Sequence, residues 1–135
     1  MSQIFVRFTI KGDNLNINEI TNDITIDAMI FVKGESVINK FSKNNKVQKT
    51  NRWVYSIESQ AGDDVNSVLT RMKKDFRLVK HKIIKYTQSY SSLLDIVIYS
   101  NADKPLTKFN VSISKTNLKF IGELNTKMSL TVFDW

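Results

Sequence analysis

Residues 63–88 read DDVNSVLTRMKKDFRLVKHKIIKYTQ, the longest stretch of the chain with a single clear period. Its apolar residues recur every three or four positions and share one side of a helical wheel: Val65, Val68, Leu69, Met72, Phe76, Val79, Ile83, Tyr86 and Thr87. The other side carries Arg71, Lys74, Arg77, His81, Lys82 and Lys85. Asp63 or Asp64 can cap the first turn. The pattern predicts one continuous amphipathic helix, about 35 Å long or more, that needs a sheet to cover its apolar side.

The composition restricts the chemistry that the chain can perform. The 135 residues are 41% hydrophobic and 10% aromatic, which is enough for one domain with a substantial core. The sequence has no cysteine and one histidine, so disulfides, a cysteine nucleophile and a multi-histidine metal site are excluded. No apolar run approaches the roughly 18 residues of a membrane span, and the N-terminus lacks a signal-peptide core. We therefore expect a cytoplasmic bacterial protein with no cofactor, metal or membrane contact.

Shorter patterns on both sides of the long helix complete the predicted fold. Alternation of apolar and polar residues predicts strands at 3–10, 28–33, 52–57, 93–99, 109–113 and 128–133. Asn16 and Ser114 are predicted to cap two short helices, the second covering 115–121 with Gly122 just past its end. The resulting order is three successive βαβ units, each with parallel pairing expected. It predicts a single α+β domain over residues 1–135. This would be a two-layer sandwich, ferredoxin-like βαββαβ with an added βαβ extension, with a mixed sheet and helices on one face.

Positive charge is concentrated in two neighbouring segments of this +7 chain. Six basic residues between 33 and 52 stand against the single acid Glu35, and the predicted helix carries seven against three acids. Residues 36–50 are interpreted as a basic loop beside the polar side of the helix. We predict that a partner binds this surface through Lys40, Lys43, Lys46, Lys49, Arg52, Arg71, Lys74 and Arg77. The alternative is an ordinary solvated surface.

Other candidates for chemistry are isolated side chains. His81 could act as a general base, but its place among lysines on the polar helix side favours a solvated surface residue. An acidic cluster near the first helix could bind Mg²⁺ or exchange protons, although its spacing fits no metal loop and turn or cap roles explain two members: Asp13, Glu19, Asp23 and Asp27. No phosphate-binding glycine motif is present, so the turn glycines are expected to have positive φ: Gly12 and Gly34.

The two tryptophans are the largest candidate interface anchors. Trp53 alternates within a predicted strand, which favours a place in the core. Trp135 is the last residue, and it either docks on the sheet or projects from it.

With these elements placed, the chain resembles the small bacterial proteins grouped as domain-of-unknown-function family 4279. The resemblance rests on a polar turn after a strand, a lone glycine, a tryptophan-containing strand and the final strands, in the segments 8–15 with 19–21, 33–35, 51–56, 98–100, 109–114 and 129–134. It covers nearly the whole chain and implies the fold more than a function, because the family has no established activity. Some members resemble antitoxin or immunity partners. The basic loop and the lysine-rich helix look particular to this chain.

These observations support three hypotheses about function. The leading one is a non-enzymatic protein-binding module, an immunity- or inhibitor-type protein that blocks an acidic partner through its basic surface. The alternative is a nucleic-acid-binding protein using the same surface, although only Phe41 could stack with bases inside the loop. The third is an enzyme with carboxylates such as Asp23 or Asp27 in a pocket. No catalytic residue is predicted.

Overall fold

The described chain forms seven strands and four helices. The structure, a computed structural model, describes residues 3–37, 46–47, 49–100 and 111–134. Its strands are β1 (Gln3–Gly12), β2 (Met29–Phe31), β3 (Ser36–Val37), β4 (Lys46–Val47), β5 (Asn51–Glu58), β6 (Ser91–Ser100) and β7 (Lys127–Asp134). Its helices are α1 (Ile17–Asp23), α2 (Val65–Phe76), α3 (Lys80–Ser89) and α4 (Lys115–Glu123). Their order along the chain is β1-α1-β2-β3-β4-β5-α2-α3-β6-α4-β7. No helix in these ranges is long and apolar enough to cross a membrane.

The main sheet has five strands in the order β2-β5-β1-β6-β7. The first four reproduce the order of a ferredoxin-like βαββαβ fold, and β7 extends the sheet beside β6. This confirms the predicted α+β sandwich with a mixed sheet. The parallel pairing expected within the first two units was wrong. Strands β5 and β6 both pair antiparallel with β1, which lies between them, and among the described strands the one parallel ladder joins β6 and β7. A crossover that skips one strand keeps the two strand directions parallel without pairing them.

The core lies between one face of this sheet and the helices. Strand β1 alternates as predicted, with Ile4, Val6, Phe8 and Ile10 buried among helical side chains. Trp53 faces the same way and is 1% exposed, which confirms it as a core residue. Because successive strand residues point to opposite faces, the other face carries the intervening polar and apolar residues. We call it the open face, since the helices of the described ranges all pack into the one core on the opposite side.

The predicted single helix over 63–88 is two helices. Residues 77–79 form a turn in which the amides of Arg77 and Val79 donate to the carbonyls of Lys74 and Phe76, three residues back. Val79, at the start of α3, has φ −117° and ψ 3° and no side-chain capping hydrogen bond. A turn of this kind advances the chain at almost the helical period. The apolar stripe therefore continues through it, and all nine residues predicted to be inward are buried.

The predicted helix starts are confirmed at all three caps. The side chains of Asn16, Asp64 and Ser114 accept from amides three residues on, at 3.1, 2.8 and 3.2 Å. The predicted end at Gly122 was wrong, since α4 continues through Glu123 and the positive φ belongs to Asn125.

The segments predicted as a strand at 109–113 and as a loop at 36–50 differ in part from the structure. Residues 111–113 form no strand, and the rest of the strand predicted at 109–113 lies outside the described residues. The added unit therefore contributes α4 and β7. The predicted loop at 36–50 contains the short pair β3–β4, and its residues 38–45 and 48 lie outside the description.

Alanine substitutions at Gly12 and Gly122 are expected to change the free energy of unfolding in opposite directions. Gly34 has the expected positive φ, but Gly12 does not; it ends β1 where a β-carbon would lie 2.7 Å from Cδ1 of Tyr90. We expect Gly12→Ala to lower the free energy of unfolding by about 1–2 kcal/mol, because the Tyr90 ring must shift. Gly122→Ala meets open space inside a helix and is expected to raise it by about 0.5 kcal/mol. Thermal unfolding of both variants measures this, and a neutral Gly12→Ala would show that the ring yields freely.

Candidate functional site

The acidic cluster predicted near α1 is built into the fold. The Tyr86 hydroxyl, on a side chain only 3% exposed, donates to Asp23 at 2.5 Å, and the Lys85 ammonium lies 3.7 Å from the same carboxylate. The hydrogen bond from Tyr86 holds the pKa of Asp23 below its usual range, and the Lys85 charge adds to this effect. The Asp13 carboxylate lies 3.9 Å from the ammonium group of Lys33, and Asp27 is exposed. The contacts of Asp23 with Tyr86 and Lys85 join α1 to α3. Within the described ranges, no group of acids or histidines could hold a metal ion.

His81 lies exposed on α3, as the polar-side prediction indicated. Within the described part of the chain it forms no ion pair with a carboxylate.

The predicted basic surface is divided between different parts of the molecule. Arg52 lies on β5 and projects from the open face of the sheet, whereas α2 is on the helix side. Arg71 is bound to Asp63 at 2.6 Å and to the Glu58 carbonyl at 3.1 Å. Lys49 is exposed next to β5. Lys40 and Lys43 lie outside the described residues, as does the side chain of Lys46.

The remaining two predicted residues, Lys74 and Arg77, lie in a groove between α2 and α4. The groove has a volume of about 450 Å³ and is lined by Thr70, Lys73, Lys74, Arg77, Lys80, Thr116, Lys119, Phe120 and Glu123. We call this the α2–α4 groove. Each helix contributes a stripe of side chains at intervals of three and four residues, so every lining residue points into the same space.

Contacts at both ends of the groove hold α4 beside α2 and the start of α3. At the N-terminal ends, the Asn66 side chain accepts from the amide of Ser114 at 2.8 Å and from Nδ2 of buried Asn117 at 3.1 Å. At the other end, Lys80, the first residue of α3, forms an ion pair with Glu123, the last residue of α4. The helices therefore run parallel, and the groove is the space between these two attachments.

The groove is strongly positive. Five of its lining residues are basic and one, Glu123, is acidic, which gives a net charge of +4. Lys80 donates to Glu123 and holds the pKa of that carboxyl below its usual range, with further contributions from Lys119 and Lys73. Within the described part of the chain, the other four cations make no ion pair: Lys73, Lys74, Arg77 and Lys119. The positive charge of the groove is therefore only partly neutralised by the described acidic side chains, which makes the groove a candidate site.

A second depression lies on the open face of the sheet. It has a volume of about 320 Å³ and is lined by Arg7, Thr9, Met29, Phe31, Arg52, Val54, Leu93 and Asp95. Its two arginines are balanced in part by Asp95, which accepts from Ser129 at 2.6 Å. The charge is weaker here than in the α2–α4 groove, so the groove is the stronger candidate site.

Sequence reasoning missed three of the groove's cations. Lys73 and Lys80 lie in the segment predicted as one helix but were not chosen as partner-binding residues, and Lys119 lies about 40 residues further along the chain. The signal present in the sequence is the repeated spacing, 70-73-74-77 along α2 and the residue that follows it, and 116-119-120-123 in α4. Only the adjacency of the two helices, which the sequence does not give, shows that these stripes face each other.

Fold and site together define a ferredoxin-like α+β domain with an added strand and a basic groove on its helical side. The chain belongs to the family described as domain of unknown function (DUF4279), which it matches over residues 2–135. No curated protein and no solved structure matches it. The family description names no catalytic activity.

Proposed function

We propose that this protein is a non-enzymatic binding module that captures an acidic segment of a partner protein in the α2–α4 groove. The observation that carries the proposal is the convergence on one cavity of four cations that form no ion pair with any described residue, Lys73, Lys74, Arg77 and Lys119. Charge of one sign lining a concave, partly desolvated site attracts and orients a partner of opposite sign. An immunity- or inhibitor-type role follows if the captured segment borders the partner's own working surface.

The chemistry of the groove favours a protein ligand over nucleic acid. Binding of single strands relies on aromatic side chains on which bases can stack. The groove's one aromatic residue, Phe120, is 3% exposed and lies in its floor. Nucleic acid is the alternative ligand, and a binding experiment has to compare it with an acidic peptide.

A charge-reversal experiment tests the site as well as the ligand. We expect Lys74→Glu/Arg77→Glu to weaken binding of fluorescein-labelled polyglutamate about tenfold or more at low salt, because two attractions become repulsions. Fluorescence anisotropy measures the affinity. The matched control, Lys11→Glu/Lys127→Glu, places the same charge change on exposed lysines of β1 and β7.

Each outcome of this comparison has a definite meaning. Both double variants have net charge +3 in place of +7, since each substitution removes one positive and adds one negative charge. Equal weakening in the two variants would mean that net charge alone attracts the probe, and would overturn the proposal. Binding of an oligonucleotide of equal charge, with no binding of polyglutamate, would assign the groove to nucleic acid instead.

A further inference from the structure

Strand β7 forms one edge of the main sheet, and β2 forms the other. Strand β2 has three residues, whereas β7 has eight, about 26 Å at 3.3 Å per residue. Every second residue of β7 directs its backbone N–H and C=O away from β6, where no described strand pairs with them. Proteins protect such edges with proline, an inward charge or a bulge. Residues 128–133 read MSLTVF, with neither proline nor charge, and their register with β6 is unbroken.

The helix side of β7 is apolar and exposed. Its three residues on this side pair with β6 residues that are at most 1% exposed, yet they are themselves 44, 45 and 36% exposed: Met128, Leu130 and Val132. On α4, Leu118 is 50% exposed and lies about 200° around the helix from Thr116, which lines the groove. Because α2 packs over β1 and β5, the side of α4 away from the groove is the side of the β7 edge. Strand and helix therefore present an apolar strip on this edge of the domain.

The sequence of β7 is complementary to itself in one antiparallel register. When the strands of two copies pair about a two-fold axis perpendicular to the sheet, opposite residues face the same side, so a slip by one residue is excluded. With Leu130 opposite Leu130 of the second copy, Met128 lies opposite Val132, and Ser129 lies opposite Thr131 on the open face. Every helix-side residue then meets an apolar residue, and hydroxyl meets hydroxyl. A slide by two residues in either direction places one of the apolar residues opposite a polar one.

The edge also has the area that a dimer needs. A strip about 26 Å long that crosses two layers, each about 10 Å thick, presents about 500 Å² per copy. Two copies would bury about 1,000 Å², which is the lower limit for a specific interface. Pairing of the two edges also gives hydrogen-bond partners to the outward backbone groups of β7.

We infer that two copies of this chain join through β7, so that their five-stranded sheets form one continuous sheet of ten strands. Leu130 lies at the two-fold axis, and Leu118 of each α4 extends the contact on the helix side. The α2–α4 groove lies on the other side of α4 and remains accessible in both copies. The dimer is therefore independent of the proposed function, and either can fail without the other.

Sedimentation equilibrium of the full chain between about 2 and 500 µM tests the inference. We expect the wild type to dimerise with a dissociation constant of about 10 µM. Leu130→Lys is expected to raise this constant about a hundredfold or more, because two ammonium groups would face each other across the axis. The matched control is Leu78→Lys, which places the same charge on a residue that is 78% exposed in the turn between α2 and α3. It is expected to dimerise like the wild type.

Two outcomes of the sedimentation experiment would overturn the inference. A wild type that stays monomeric over the whole range would leave the β7 edge to a strand of a different protein. A dimer that persists in Leu130→Lys would place the contact on another surface.

A disulfide across the axis tests the register separately. The chain has no cysteine, so Leu130→Cys introduces a single thiol. In the inferred register the two substituted residues are opposite each other, with their Cα atoms about 5 Å apart, which a disulfide can bridge. Met128→Cys is the control on the same side of the same strand, because positions 128 of the two copies lie four residues apart, about 14 Å. We expect oxidised glutathione to link Leu130→Cys about tenfold faster or more, and equal rates would contradict the register.

Discussion

Replacing Phe76 with alanine is expected to lower the free energy of unfolding by about 3–5 kcal/mol. Phe76 has no exposed surface, and its ring centroid lies 5.6 Å from Phe8, 5.1 Å from Tyr55 and 6.1 Å from Phe120. The substitution removes buried apolar surface and leaves a cavity. The elements that border this cavity, α2, α4 and the sheet, cannot move inward far enough to fill it. Urea unfolding followed by far-ultraviolet circular dichroism measures the change.

The control for this substitution lies two residues away. Leu78, in the turn between α2 and α3, is 78% exposed, so Leu78→Ala is expected to change the free energy of unfolding by less than about 0.5 kcal/mol. A loss below about 1.5 kcal/mol for Phe76→Ala would contradict the central place given to this ring. Phe120, the floor of the groove, packs against it, so the core and the candidate site share one support.

Phe76 also illustrates what a periodic pattern can predict. The stripe from Val65 to Thr87 gave the correct buried side although the helix breaks at residues 77–79. Burial follows from the direction of each side chain, and the turn preserves that direction. The break itself depends on the backbone conformation of Leu78 and Val79. The spacing of the apolar residues does not indicate that conformation.

The strands show the same division between local and non-local information. Alternation predicted β1, β5, β6 and β7 to within two residues at each end, because a strand with one buried face needs period two. Strand order depends on pairings between distant segments. The placement of β1 between β5 and β6 could not be derived from any one of these strands.

The candidate site was only partly predictable for a related reason. Lys74 and Arg77 were found because they lie on the polar side of a recognisable helix. Arg52 was grouped with them because a linear charge run ignores which sheet face a strand residue occupies. Lys119 joins the groove only through the packing of α4 on α2. The larger predicted surface, including Lys40, Lys43 and Lys46, stays a prediction.

The attachment between the helix N-termini predicts a second large effect. We expect Asn66→Ala to lower the free energy of unfolding by about 2–3 kcal/mol. The substitution removes the acceptor for the Ser114 amide and for Nδ2 of Asn117, as well as the donor to the Ser112 carbonyl at 2.8 Å. Asn117 is 3% exposed and would keep only longer contacts, at 3.3 Å to the Asn66 carbonyl and 3.4 Å to Thr70. Urea unfolding gives the change.

Asn66 connects the stability of the fold to the shape of the groove. Without its side chain, α4 is held to α2 by the longer Asn117 contacts and by the packing of Phe120 on Phe76, so Lys119 is fixed less firmly opposite α2. We therefore expect the variant to bind polyglutamate about threefold more weakly under conditions in which it remains folded. Asn22→Ala is the control, since Asn22 is exposed on α1 and its side chain makes no hydrogen bond within the described residues. If Asn66→Ala loses stability as expected but binds polyglutamate as tightly as the wild type, the groove keeps its shape without this attachment. The packing of Phe120 on Phe76 would then set the distance between α2 and α4.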